Sequence, residues 1–203
     1  MESFTRGAPV ATVILGAMIV ISVAGLSVAP QIIRRCLFRP HWLARHQNPL
    51  VWISSAFVHA SFGHLFFNAL TFWSFGFGLE RTIGSVRFAA LYAAGLLISD
   101  AGTYLKHRAD PDYASLGASG AILAVLFASI IYFPNSSLYI MFVPVPVPAP
   151  LFAILYLAYT IYASRHKQDG INHDAHLSGA ITGLLFVLIT DPRAVAVAWQ
   201  TFF

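Results

Sequence analysis

The sequence predicts an all-α, polytopic membrane protein, a bundle of six transmembrane helices, on three observations. Hydrophobic residues make up 58% of the 203 positions and charged residues only 10%, less than half the ~25% charged share usual in soluble domains. Mean hydropathy is +0.71. Runs without Asp, Glu, Lys or Arg recur at lengths near the ~20 residues that cross a ~30 Å hydrocarbon core, which leaves almost nothing for a separate soluble unit. Residues 1–203 therefore read as a single domain.

Charges bound the spans because an unpaired ion in hydrocarbon costs at least ~2.5 kcal/mol on insertion scales. The first span runs from about Pro9 to Ala29. Ser27-Val28-Ala29 is a weak cleavage-like pattern, but the uncharged run from Gly7 to Ile33 far exceeds the 7–15-residue apolar core of a signal peptide. The segment from about Pro30 to Ala60 alternates Arg34, Arg35, Arg39 and Arg45 with Leu37, Phe38, Trp42, Leu43 and Trp52. Such a segment is too polar to cross and suits the interface. The second span covers about Ser61 to Leu79, ending at Glu80 and Arg81, and the third about Val86 to Leu105. Tyr113 to Ser164 holds no Asp, Glu, Lys or Arg, enough for two spans and a connection. The break falls at Pro134 to Pro150, where Pro144, Pro146, Pro148 and Pro150 alternate and exclude a helix. The fifth span follows from about Ala149 to Ser164. The sixth, about Ala175 to Thr190 between Asp174 and Asp191, is short, roughly 24 Å at helical rise.

The net charge of +4 gathers in the connections, where it suits anionic lipid headgroups; no nucleic-acid motif is present. Cys36 is the single cysteine and has no internal partner for a disulfide.

Polar residues inside spans carry the functional information, since hydrocarbon offers them no partner. His64 and Asn68 stand four apart on the second span and share one helical face. Gly117-Ala118-Ser119-Gly120 opens the fourth span with glycines on both sides of a serine. The sixth span opens with His176, followed by Gly179 and Gly183, a small-xxx-small pattern that permits close helix crossing. These are the parts of acyl transfer: Ser119 as nucleophile, His176 as general base and then acid, and donors for an oxyanion. Helix-start N–H groups at Ser119, with His64 and Asn68, supply those donors. Asp174, two residues from His176, faces away from it on a helix, so the pattern is a Ser-His dyad without a third acid.

Taken in chain order, His59-xxxx-His64-xxx-Asn68, Gly78-Leu79-Glu80-Arg81 with Gly84, Gly117-Ala118-Ser119-Gly120 and Ala175-His176-xx-Gly179-xxx-Gly183 resemble the motifs of the rhomboid family over roughly residues 50 to 190. The resemblance implies a six-transmembrane-helix rhomboid-like bundle and a serine endopeptidase. It would cut peptide bonds in or near transmembrane segments of protein substrates, in a water-filled cavity open to the outer side, with no metal or organic cofactor. It assigns catalysis to Ser119 and His176, and oxyanion or supporting roles to His64, Asn68, Gly117 and the Ser119 backbone. Glu80 and Arg81 become structural, and His59 orders the interfacial segment. One position departs from the pattern: some members stack an aromatic residue on the catalytic histidine one turn after the nucleophile, where this chain has Leu123. The orientation of His176 therefore rests on another group.

His41, His46, His107, His166 and His173 lie in connections and are expected to be solvated or to face headgroups; their spacing is not that of a metal site. Asp100 is expected to be hydrated near the interface. Two other functions stay open at this point: a rhomboid-like pseudoprotease that binds transmembrane segments without cutting, and a small transporter using His64, Asn68 and His176 as a polar path. A chain of this length suits a prokaryotic plasma membrane.

Overall fold

The computed structural model describes residues 7–43, 45, 48–139, 145–166 and 169–202. The elements in chain order are α1 (Pro9–Ser27), three short helices α2 (Pro30–Cys36), α3 (Pro40–Leu43) and α4 (Val51–Ser54), a 3-10 turn (Ser55–Phe57), α5 (Phe62–Ile83), α6 (Ser85–His107), α7 (Ser119–Tyr132), a strand pair β1 (Ser137–Tyr139) and β2 (Pro146–Pro148), α8 (Ala149–His166), α9 (His173–Thr190) and α10 (Pro192–Phe202). The architecture is mostly helical, as the hydropathy pattern predicts. Among the described residues, α1, α6 and α9 are long and apolar enough to cross a membrane; α7 is apolar but has 14 residues. α5 and α8 have 22 and 18 residues but mix in His64, Asn68, Glu80 and Arg81, or Arg165 and His166.

Every residue from Gly120 to Ile130 is buried, as expected for a helix that is apolar all round. α7 is therefore the axis, packed by α5, α6 and α9. Small residues set the spacing. A Cβ on Gly95 of α6 would stand 2.5 Å from the Ala124 Cβ and 3.1 Å from the Ala121 Cα, and one on Gly179 of α9 would stand 2.8 and 2.9 Å from the Gly120 carbonyl carbon and Cα. Gly183 meets the Ala124 backbone in the same way. Backbone touches backbone at these crossings, as the small-xxx-small pattern anticipates.

α5 runs to Ile83, past the expected end of the second span at Leu79, and carries Glu80 into the bundle. Its carboxylate is fully buried and accepts the N–H groups of Val10 (3.1 Å) and Ala11 (2.7 Å) and the hydroxyl of Ser85 (2.6 Å). The Ala8 N-cap of α1 offers no side-chain acceptor, so Glu80 caps α1 from across the bundle, at the second and third positions that an N-cap ordinarily serves. Glu80→Ala leaves these N–H groups buried and unpaired. It is expected to cost about 3 kcal/mol, measured as a lower unfolding temperature of the detergent-solubilised protein, whereas Arg81, on the exposed side of the same turn, is expected to matter less.

The structure corrects one expectation, since Pro150 is the second residue of α8, a first-turn position that tolerates proline, and it adds three features. The proline-rich break is not purely irregular: Ser137, Leu138 and Tyr139 pair antiparallel with Pro148, Val147 and Pro146, a place on a sheet edge where proline's missing donor is harmless. Pro144 lies outside the described residues. α10 follows the sixth span and was not foreseen. The interfacial segment is tied down, in keeping with its apolar side chains: Phe38 and Ser115 exchange backbone hydrogen bonds of 2.9 Å, Trp42 Nε1 donates to the Pro111 carbonyl (3.0 Å) and His41 Nδ1 donates to the Arg108 carbonyl (3.1 Å). It holds the loop that leads into α7.

Candidate active site

That loop ends in Gly117 at φ 107, a left-handed conformation open to glycine without strain. Its N–H donates to the Ser55 carbonyl at 2.9 Å, which fixes the turn. A side chain here is excluded twice over, because a Cβ would stand 2.9 and 3.0 Å from Cε1 and Nε2 of His64 and 3.8 Å from Nδ2 of Asn68. The α5 face predicted from the four-residue spacing is thus turned toward Gly117, two residues before Ser119. Ser61 starts α5 by accepting the His64 N–H (3.1 Å), an N-cap that sets the first turn.

Ser119 is the first residue of α7, and its N-cap Ala118 has no side-chain acceptor. The first-turn N–H groups are left for another acceptor, in the positive field of the helix end. Asn68 is 7% exposed, and its Nδ2 is buried with no hydrogen-bond partner. Buried amide groups are nearly always paired, so an unused donor beside the start of α7 suits a transient acceptor.

His176 is the fourth residue of α9. The helix starts at Asn172, whose Oδ1 accepts the Ala175 N–H (3.0 Å) while Nδ2 donates to Thr103 Oγ1 of α6 (2.9 Å). One side chain thus caps α9 and anchors its start. The Ala175 carbonyl comes within 3.2 Å of where a Cβ on Gly120 would stand, so the turn bearing His176 lies against the turn bearing Ser119. Among the described residues, no hydrogen bond joins Ser119 Oγ to His176. Instead the Tyr156 hydroxyl of α8 lies 3.2 Å from His176 Nδ1. Sequence reading missed Tyr156; its only hint was Leu123, which implied that another group holds the histidine.

Other polar residues divide into structural groups and ones nearer the site. His59 is fully buried and its Nδ1 lies 2.8 Å from Ser22 Oγ, which donates its own proton to the Phe57 carbonyl (2.9 Å). Nδ1 must therefore be the donor, and His59 fastens α1 to the start of α5. His173 corrects the expectation of a solvated residue: it is 4% exposed, with Nε2 at 3.1 Å from an Asp169 carboxylate oxygen. Asp100 is half-buried. Its Oδ2 is buried without a partner, and it lines a cavity of about 20 Å³ with Ser99, Ser115, Ser119 and Asn172, room for about one water. Asp174 points outward to Lys106 (2.7 Å), as the helical spacing predicts. His107 stacks on Tyr113 at 3.6 Å; burial, and then Asp174, push the Tyr113 phenol up to about 12. His46 lies outside the described residues. Among those described, no group of three or more His, Cys, Asp or Glu side chains is placed to hold a metal ion.

Fold and site together define a helical membrane protein that brings a serine, a histidine and a buried amide donor to one end of its central helix. A family model described as the Rhomboid domain matches residues 46–193, and the chain belongs to that family. It is 33% identical over 144 residues to RHOMBOID-like protein 12, mitochondrial, of Arabidopsis thaliana, covering 63% of this chain and 42% of that one. It is 34% identical over 138 residues to Rhomboid protein 1, mitochondrial, of Saccharomyces cerevisiae (66% and 40%), and 32% over 135 residues to the Putative rhomboid protease YdcA of Bacillus subtilis (66% and 63%). The matches span less than two thirds of these relatives' lengths.

Proposed function

We propose that this chain is an active intramembrane serine endopeptidase that cleaves peptide bonds in or near transmembrane segments of membrane-protein substrates. The observation that carries the reading is the convergence of His64 and the unpartnered Asn68 amide on Gly117, beside the start of α7. Ser119 Oγ attacks the scissile carbonyl carbon as His176 takes its proton, and the new oxyanion accepts hydrogen bonds from the Ser119 N–H, Asn68 and His64. Collapse expels the amine, which receives the proton from His176, and water then hydrolyses the acyl-enzyme by the same steps. α5, α7 and α8 complete a six-span bundle with α1, α6 and α9. The partners are transmembrane substrates and lipid. Relatives named as mitochondrial count against a prokaryotic plasma membrane, so the home assigned is a lipid bilayer without further address.

The test is labelling with a fluorophosphonate, which reacts with activated serines. Wild type labels and Ser119→Ala does not. Folded wild type that neither labels nor cleaves a transmembrane peptide would instead establish the rival reading, a pseudoprotease; retention of both Ser119 and His176 speaks against it.

A further inference from the structure

We infer that Tyr156 is the positioning residue of the dyad: its phenolic oxygen accepts a hydrogen bond from His176 Nδ1–H and so presents the bare Nε2 to Ser119. The inference rests on the protease reading for its consequence in catalysis, but its structural content stands apart from it.

An imidazole has two nitrogens, and a general base for Ser119 must keep the one facing the serine unprotonated. Where a carboxylate is present in such sites, it accepts the other N–H and thereby fixes tautomer and ring orientation. Asp174 points away to Lys106, and Asp169 is engaged by His173. The group that does meet Nδ1 is the Tyr156 hydroxyl at 3.2 Å. A phenol has one proton and two lone pairs, so it can receive Nδ1–H and keep that bond when His176 becomes an imidazolium. The ring is held independently of its oxygen: it stacks on Phe152 at 5.6 Å and meets Phe127 at 5.8 Å. Leu123 has no polar atom and leaves this role to α8. The arrangement also ties the base to a lightly packed helix, since Ala149, Thr160 and Ala163 are the buried residues of α8.

Two measurements test this on the full chain in liposomes. The first is the ¹⁵N shifts of the histidine rings, with His176 assigned by its loss in His176→Ala. Wild type should show Nδ1 protonated and Nε2 bare at neutral pH, and Tyr156→Phe should show the two tautomers mixed. The second is cleavage of a transmembrane peptide: Tyr156→Phe should lower kcat about tenfold to a hundredfold, as loss of a bond to a charged group does, with KM changed less than twofold. Wild-type His176 protonated on Nε2 overturns the inference, as does kcat within twofold of wild type, or a rise in KM alone, which would make Tyr156 a substrate contact. The wild-type spectrum needs no variant, so a Tyr156→Phe protein that misfolds does not shelter the inference. A wild type that cleaves nothing defeats the protease reading while the spectrum still judges Tyr156.

Discussion

His176→Ala is expected to lower the turnover of a transmembrane peptide about 10⁴-fold or more, to the level of Ser119→Ala, because loss of either member of a serine–histidine unit disables the whole. Four histidines lie near one another here, and the structure separates their duties, with His59 bonded to Ser22. His173 gives its Nε2 to Asp169, and the His64 ring lies against Gly117, on the donor side of the site. His176 shares the first turn of α9 with His173 but directly follows Ala175, whose carbonyl packs against Gly120 beside Ser119. His173→Ala should therefore retain most activity, and a loss below tenfold in His176→Ala would sink the dyad. The unfolding temperature should hold in His176→Ala, since among the described residues its side chain hydrogen-bonds to Tyr156 alone.

Gly179→Ala should abolish the proposed peptide cleavage without touching a reacting group. The added methyl would stand 2.8 and 2.9 Å from the Gly120 carbonyl carbon and Cα, inside any tolerable contact, and backbone has no rotamer with which to yield. Overpacked sites ordinarily cost about 1–3 kcal/mol; here the helices must part, so about 3 kcal/mol or more is expected. A displacement near 1 Å between the elements carrying Ser119 and His176 is enough to lose about a hundredfold in rate. Gly16 on α1 supplies the control, because no atom lies within 4 Å of its would-be Cβ. Gly16→Ala should keep activity and gain up to about 1 kcal/mol from helix propensity. Thermal unfolding and cleavage rates of the two variants, side by side, decide the matter; equal behaviour would refute the close crossing.

Much of this was legible in the sequence because it depends on local spacing. The four-residue step from His64 to Asn68 and from Gly179 to Gly183 fixes which side chains share a face whatever the tertiary fold, and both faces turn toward α7. The burial of α7 does not follow from composition alone, since α1 is equally apolar and buries only Ala11, Met18, Ser22 and Gly25. Tyr156 was hidden because Tyr156, Tyr159 and Tyr162 recur every third residue along α8, and nothing local says which hydroxyl meets a histidine 20 positions on. His173 looked solvated because it borders a polar connection, yet as the first residue of α9 it turns inward to Asp169 and the Tyr159 ring. Asp100, expected to be hydrated from its distance to the helix end, is half-buried, with one carboxylate oxygen beside a cavity that has room for a water.

The glycine crossings bear on the motions of the site as well as its shape. Ordering a leucine at a helix interface costs roughly 0.5–1 kcal/mol of rotamer entropy, whereas glycine and alanine lose none. Gly120, Ala124, Gly179 and Gly183 therefore join α7 to α9 with no side chain to freeze, and none whose rotamer hops, on the picosecond to nanosecond scale, could jostle the serine against the histidine. The spacing of the two helices that carry Ser119 and His176 is thus set by backbone against backbone.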